Sequence, residues 1–241
     1  MLTANKENAL HKSVMLRVLI SILDDSFLSK NLYFKGGTCS SMLGYLDRFS
    51  VDLDFDLKEL KIKEAVQEKL QSLFKSLDLT VKDSSKNVIQ YYLKYQAPEG
   101  YRNTLKIDAV ETPYKNSQYE TVLLSEINRY AICQTKETLF ANKLVAIVER
   151  YDKSNSIAGR DLYDIHHFLH QGFDYNKKLI EERRKTEPND YIRELIVFIE
   201  KNITQTIIDQ DLNTLLEYGK FNAIRKTLKT EVLVLLKDKI R

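Results

Sequence analysis

The chain has 241 residues, enough for one large domain or two small ones with a proper core. Its 43% apolar and 29% charged residues are ordinary for a soluble globular protein, and its net charge of +3 allows a nucleic-acid partner without demanding one. The two cysteines, Cys39 and Cys133, have no metal-like spacing, Asp24 and Asp25 interrupt the most apolar stretch, and no run is long enough to span a bilayer. A cytoplasmic, reducing location is expected.

With only 7 glycines and 3 prolines, long regular elements are expected. Residues near 6–29 predict an amphipathic helix, with Leu10, Val14, Val18 and Ile22 on one stripe. A short strand, Leu32 to Phe34, leads into Gly36-Gly37-Thr38 and a short helix ending near Leu46. Val51 to Leu57 alternates apolar and acidic residues with period two, as a strand does. A helix is predicted over 58–76, then strands over 77–81, 88–95 and 104–110, with a Pro98-Glu99-Gly100 turn between the last two. After residue 134 helical patterns dominate, near 136–150, 160–171, 189–202, 206–217 and 221–238. An α/β half is therefore followed by a helical half.

Alternation in the acidic strand turns Val51, Leu53, Phe55 and Leu57 to the core, and Asp52, Asp54 and Asp56 the other way, neighbours about 7 Å apart. Such carboxylates repel one another unless a cation lies between them. A divalent ion such as Mg²⁺ suits them, because it takes carboxylate oxygens and keeps positions open for phosphates. A solvated polar strand face is the plainer alternative. The Gly36-Gly37-Thr38 turn could cradle a triphosphate at a helix start, or be an ordinary strand-to-helix turn. Asp108 shares one face of its strand with Lys106, and with Asp52 and Asp54 would complete a two-metal constellation for phosphoryl-group transfer. Asp108 could also serve as general base.

Together these residues resemble the AbiEii/AbiGii toxin family of the DNA polymerase beta-like nucleotidyltransferase superfamily. The resemblance rests on Gly36-Gly37-Thr38, on Arg48-Phe49-Ser50-Val51-Asp52-Leu53-Asp54, on Lys106-x-Asp108, on Lys143 within 137–146, and on Arg160-Asp161-Leu162-Tyr163-Asp164. Cys39 departs from the alanine usual after the threonine. The resemblance implies an α+β fold, with a mixed polymerase beta-like sheet and flanking helices over 1–125 and a helical bundle over 126–241. It also implies the toxin of a type IV toxin–antitoxin or phage-defence system, moving NMP from an NTP to an RNA hydroxyl, as related toxins do at the acceptor end of tRNA. Asp52, Asp54 and Asp108 would hold Mg²⁺ or Mn²⁺. Gly36, Gly37, Thr38, Arg48, Ser50 and Lys143 would bind the nucleotide, and Lys143 and Asp161 would join the catalytic set. A cognate antitoxin would be encoded alongside. Transfer to a protein or small-molecule hydroxyl, and a non-catalytic NTP-binding module, are the competing expectations.

Read physically, Lys143 is a lysine on the apolar stripe of Leu139, Phe140 and Ile147, either snorkelling to water or meeting an anion such as a triphosphate. Asp161 is either a first-turn helix residue or the group that holds Lys143 or the nucleotide, leaving Asp164 structural. Arg160 could contact phosphate or be a surface charge. His166 and His170 lie four apart, but no acidic third ligand at zinc-like spacing accompanies them. The basic residues near the end (Lys220, Arg225, Lys226, Lys229, Lys237, Lys239 and Arg241) read first as a solvated helix face.

Overall fold

The computed structural model describes residues 6–85, 87–213 and 215–240. The chain divides into two compact units. The first comprises Met1–Gly44, Phe49–Pro113 and Gln118–Thr135; the second comprises Tyr45–Arg48, Tyr114–Ser117 and Lys136–Arg241. The expected change at 125/126 falls inside the last hairpin of the first unit.

The first unit opens with α1 (Lys6–Asp24), α2 (Leu28–Asn31), β1 (Leu32–Lys35) and α3 (Gly36–Met42). Then follow β2 (Asp52–Leu57), a 3₁₀ turn (Leu60–Ile62), α4 (Lys63–Ser76), β3 (Thr80–Ser84), β4 (Ile89–Lys94) and β5 (Thr104–Val110). A hairpin of β6 (Tyr119–Leu124) and β7 (Arg129–Gln134) ends it. The seven strands form one mixed sheet in the order β3-β4-β5-β2-β1-β7-β6. The β1/β7 and β2/β5 pairs are parallel and the others antiparallel.

Period two explains this sheet. Leu53, Phe55 and Leu57 of β2 are buried, as are Ile89, Tyr91 and Leu93 of β4 and Leu105, Ile107 and Ala109 of β5. Facing them are the apolar stripe of α1 (Val14, Met15, Val18, Leu19, Ile22) and the i, i+4, i+8 series Val66, Leu70, Phe74 of α4. The intervening strand residues, with the acidic ones among them, lie on the other face.

Several element boundaries differ from expectation for local reasons. The helix expected over 6–29 stops at Asp24, because the Asp25 carboxylate accepts from the N–H groups of Phe27 and Leu28 at 2.8 and 2.9 Å and starts a new turn. The strand expected over 77–81 lies at 80–84, at the sheet edge with every residue exposed, while Leu79 is buried instead. The β6–β7 hairpin was not expected at all. Its outer strand is mostly exposed and carries little apolar pattern, and β7 finds its parallel partner β1 about a hundred residues away in the chain.

The second unit contains α5 (Lys136–Ser154), α6 (Gly159–His170), α7 (Lys177–Arg184), α8 (Pro188–Asn202), α9 (Gln205–Leu212), α10 (Tyr218–Ile224) and α11 (Leu228–Lys239). The short α7, with only Leu179 and Ile180 buried, has too little apolar pattern to be read from sequence; its N-cap is the Asn176 side chain, which accepts from Leu179 N. The single helix expected over 221–238 is broken at 225–227 into α10 and α11. α6 is the central helix, packed by α5, α9 and α11. Phe140 of α5 stacks on Phe168 of α6 with ring centroids 5.0 Å apart. Gly159 lets α9 approach: a Cβ there would come within 2.7 Å of the Ile207 carbonyl oxygen.

Candidate active site

In the first unit, β2 and β5 run parallel with Asp54 opposite Asp108 and Asp52 opposite Lys106. Three carboxylates and one ammonium thus share one face of two adjacent strands. Burial is the main force raising the Asp54 carboxyl, and the Asp52 charge adds to it; Lys35 and Lys106 pull the other way, Asp108 raises it further, and the balance stands at about 6. Lys106 Nζ donates to Asp108 Oδ2 at 2.7 Å, and Gln90 Nε2 reaches the same oxygen at 3.2 Å. Burial tends to lower the Lys106 ammonium, but Asp108, Asp54 and Asp52 together raise it.

Asp56 shares the alternation and not the role. It is buried and takes hydrogen bonds from Lys35 Nζ at 2.6 Å, Tyr119 Oη at 2.8 Å and Gln134 Nε2 at 2.6 Å. Its charge is consumed within the sheet, where it ties β2 to β1, β6 and β7.

The glycine turn lies against this cluster. Gly36 has φ +78°, and a Cβ on it would stand 2.9 Å from both Cβ and Cγ of Asp54 and would clash with Oδ2. Only glycine fits between the end of β1 and Asp54. The two hydroxyls of the motif turn inward: Thr38 Oγ1 donates to the Asp52 carbonyl at 2.5 Å and lies 3.0 Å from Ser50 Oγ. Thr38, with Ser50 beside it, therefore braces the start of β2.

In the second unit Asp164, and not Asp161, is the aspartate that meets Lys143. Asp164, fully buried, takes Arg48 Nε and Nη2 at 2.5 and 2.7 Å and Lys143 Nζ at 2.7 Å. Burial alone would raise its carboxyl, but the two cations outweigh burial and leave it at about 2. Asp161 does not hold Lys143; its Oδ2 accepts from Arg150 Nε at 2.9 Å. One helical turn separates the two aspartates, and only the second points between α5 and the 45–48 segment. Arg48, expected at the nucleotide, is buried and committed to Asp164. Asp47 beside it accepts from Tyr163 Oη at 2.6 Å and pairs with Lys220.

Two of the histidines have acidic neighbours. His166 Nε2 is 2.7 Å from Glu231, and His167 Nδ1 is 3.3 Å from Asp47. The basic residues near the end are largely paired: Arg225 with Asp209, Lys237 with Glu200, Lys239 with Asp174, and Lys229 with the carbonyls of Glu200 and Ile203. Arg241 lies outside the described residues. Among the described residues, no helix is long and apolar enough to cross a membrane.

Of the two lysines around the acids, Lys106 was legible on the Asp108 strand face and Lys35 was missed. Lys35 directly precedes the glycine pair on a strand whose even neighbours are buried, and that position was signal enough to place it beside the acids.

A glycine turn abutting a D-x-D strand, with a third aspartate in register on the parallel neighbour, is the arrangement of a nucleotidyltransferase. The family model for the nucleotidyl transferase AbiEii toxin of type IV toxin–antitoxin systems matches residues 17–227, and the chain belongs to that family. It is a nucleotidyltransferase enzyme of the toxin class. Solved structures share the fold. One, described as a candidate nucleotidyltransferase from Helicobacter pylori, has a TM-score of 0.61 at 21% identity over 98% of this chain and 97% of that one. JHP933 from Helicobacter pylori has a TM-score of 0.59 at 19% identity, covering 98% and 94%. MenT4, a nucleotidyltransferase toxin from Mycobacterium tuberculosis, has a TM-score of 0.54 at 17% identity, covering 96% and 84%. No curated protein matches the chain.

The family implies a divalent metal, and the donor set of the first unit fits one. Among the described residues no three His, Cys, Asp or Glu groups stand ready-made around a metal position, since Asp108 is turned to Lys106 and Gln90. The hard oxygen donors of Asp52 and Asp54, with Asp54 raised by burial and by the Asp52 charge beside it, suit a divalent ion with phosphate co-ligands.

Proposed function

We propose that the chain transfers a nucleoside monophosphate from an NTP to a hydroxyl of an RNA acceptor, tRNA in particular, and acts in the cytoplasm as the toxin opposite a cognate antitoxin. The observation that carries the reading is the register of β2 on β5, with Asp54 opposite Asp108 and Asp52 one step along the same face. Asp52 and Asp54 would hold Mg²⁺ or Mn²⁺, joined by Asp108 once it releases Lys106. Bound there, the ion would neutralise phosphate charge and lower the pKa of the acceptor hydroxyl. Once free of Lys106, the Asp108 carboxylate could take the proton of that hydroxyl.

Gly36 and Gly37 would let backbone approach the polyphosphate, with Thr38 and Ser50 fixing the strand behind them. Lys143 would neutralise a phosphate as a point charge. Asp164 holds that ammonium in place, and Arg48 acts through Asp164. Asp161, paired with Arg150, would fix the first turn of α6.

The test is incubation of the purified protein with Mg²⁺, bacterial tRNA and each of the four α-phosphate-labelled NTPs, with Asp54→Ala as control. Label on tRNA that the control loses supports the reading and names the base. Label on another acceptor alone would overturn the RNA assignment and keep the transferase chemistry.

A further inference from the structure

The first unit buries a histidine that the site chemistry leaves unused. His11 lies on the core face of α1, fully buried, where the other buried residues of the helix are apolar (Val14, Met15, Val18, Leu19 and Ile22). Both of its ring nitrogens are engaged: Nε2 is 2.7 Å from the Val51 carbonyl oxygen, and Nδ1 is 2.7 Å from Tyr95 Oη. A carbonyl only accepts, so Nε2 carries a proton and donates it to Val51. Tyr95, itself 2.8 Å from the Arg102 carbonyl oxygen, holds the opposite nitrogen and so fixes the rotation of the ring. The Phe49 ring stands nearly perpendicular to it at 6.1 Å.

Val51 directly precedes Asp52, and here the sheet gives the acidic strand least support. β1 ends at Lys35, opposite Asp54, so its ladder does not reach Asp52. β5 pairs with β2 from Asp52 onward and leaves Val51 outside. Side chains hold the two carbonyls instead, His11 that of Val51 and Thr38 that of Asp52. An apolar side chain would fill the space on α1 without needing partners; what the imidazole adds is a donor aimed at this backbone. Partners behind a metal ligand set its orientation, and with it the affinity of the site.

We propose that His11 is a positioning residue for the acidic cluster: by gripping the Val51 carbonyl it fixes the backbone from which Asp52 reaches a divalent ion, a role that rests on the reading of Asp52 and Asp54 as metal ligands.

The test is titration of the full-length chain with Mn²⁺, the free ion being counted by electron paramagnetic resonance, for wild type, His11→Phe, His11→Gln and Asp54→Ala. His11→Phe keeps a flat ring and loses the donor, whereas His11→Gln places an amide donor near Val51. Mn²⁺ binding is expected to weaken about tenfold in His11→Phe and to return to within about threefold of wild type in His11→Gln, whichever of the two has the lower Tm. Unchanged affinity in His11→Phe, or affinity that follows Tm across the variants and not the donor, would overturn the proposal. A second measurement needs no substitution: imidazole ¹⁵N NMR of the wild type at neutral pH is expected to show His11 Nε2 protonated, and an unprotonated Nε2 would also overturn it. Equal Mn²⁺ binding by wild type and Asp54→Ala would strike the metal reading of the acids itself, whereas loss in Asp54→Ala with none in His11→Phe would strike the role of His11 alone.

Discussion

Each unit sets an aspartate at its centre of charge, and the two are surrounded in opposite ways. Asp54 is desolvated beside Asp52 and Asp108, with Lys35 and Lys106 offsetting only part of the effect, and its carboxyl rises to about 6. Asp164 lies between Arg48 and Lys143, and its carboxyl falls to about 2. The same residue type is thus left short of cations in the first unit and given a surplus in the second, where it forms a fixed strut. A poorly compensated charge costs stability and serves chemistry; a doubly compensated one serves architecture.

The largest expected effect breaks the first member of this pair. Asp52→Asn or Asp54→Asn is expected to lower label transfer by on the order of a thousandfold or more, with far-UV circular dichroism unchanged. Retained transfer in either variant would remove the acidic cluster from the chemistry. Next comes the strut. Asp164→Asn leaves two buried cations unanswered and is expected to cost about 3–5 kcal/mol in denaturant unfolding, against about 1 kcal/mol for Asp161→Asn, whose partner Arg150 is partly exposed. Equal costs for the two would erase the contrast.

The comparison can be sharpened by pH. Asp164 has a depressed carboxyl, so its contribution is complete above about 4, the ordinary carboxylate range, and is lost as pH falls towards about 2. Asp54 has the opposite sign. Its ionised form destabilises the metal-free fold, with no cost below about 4 and the full cost above about 6. Asp54→Asn is therefore expected to raise the metal-free Tm at neutral pH by a few degrees, corresponding to about 1–2 kcal/mol, and to leave it unchanged near pH 4. The smallest effect belongs to the exposed pairs near the end of the chain: Lys237→Ala is expected to change stability by less than about 0.5 kcal/mol.

Much of the first unit was legible because its strands alternate cleanly. The bounds of β5 emerged as expected, and the in-register placement of Asp108 beside Asp54 follows once β2 and β5 are neighbours. That neighbourhood was not itself readable: parallel pairing across fifty residues leaves no local mark. The hairpin of β6 and β7 was hidden for a related reason, since β6 is too exposed to carry a pattern. In the second unit the Asp161-x-x-Asp164 spacing was plain, but which aspartate meets Lys143 depends on how α5 and α6 pack, and packing chose Asp164. Thr38 and Ser50 were legible as a motif and not as inward-facing braces, because hydroxyl direction depends on a carbonyl fourteen residues downstream.

The membership of the two units has a consequence for how the gene can be cut. The second unit draws Tyr45–Arg48 and Tyr114–Ser117 from within the span of the first. A split after Thr135, which looks like a natural seam, would give a fragment beginning at Lys136 that contains Asp164 and Lys143 but lacks Arg48. Supplying the missing arginine takes residues that stand between the glycine turn and the acidic strand. The two halves are therefore poor subjects for separate expression or for shuffling as modules, and they must be inherited as one interleaved chain.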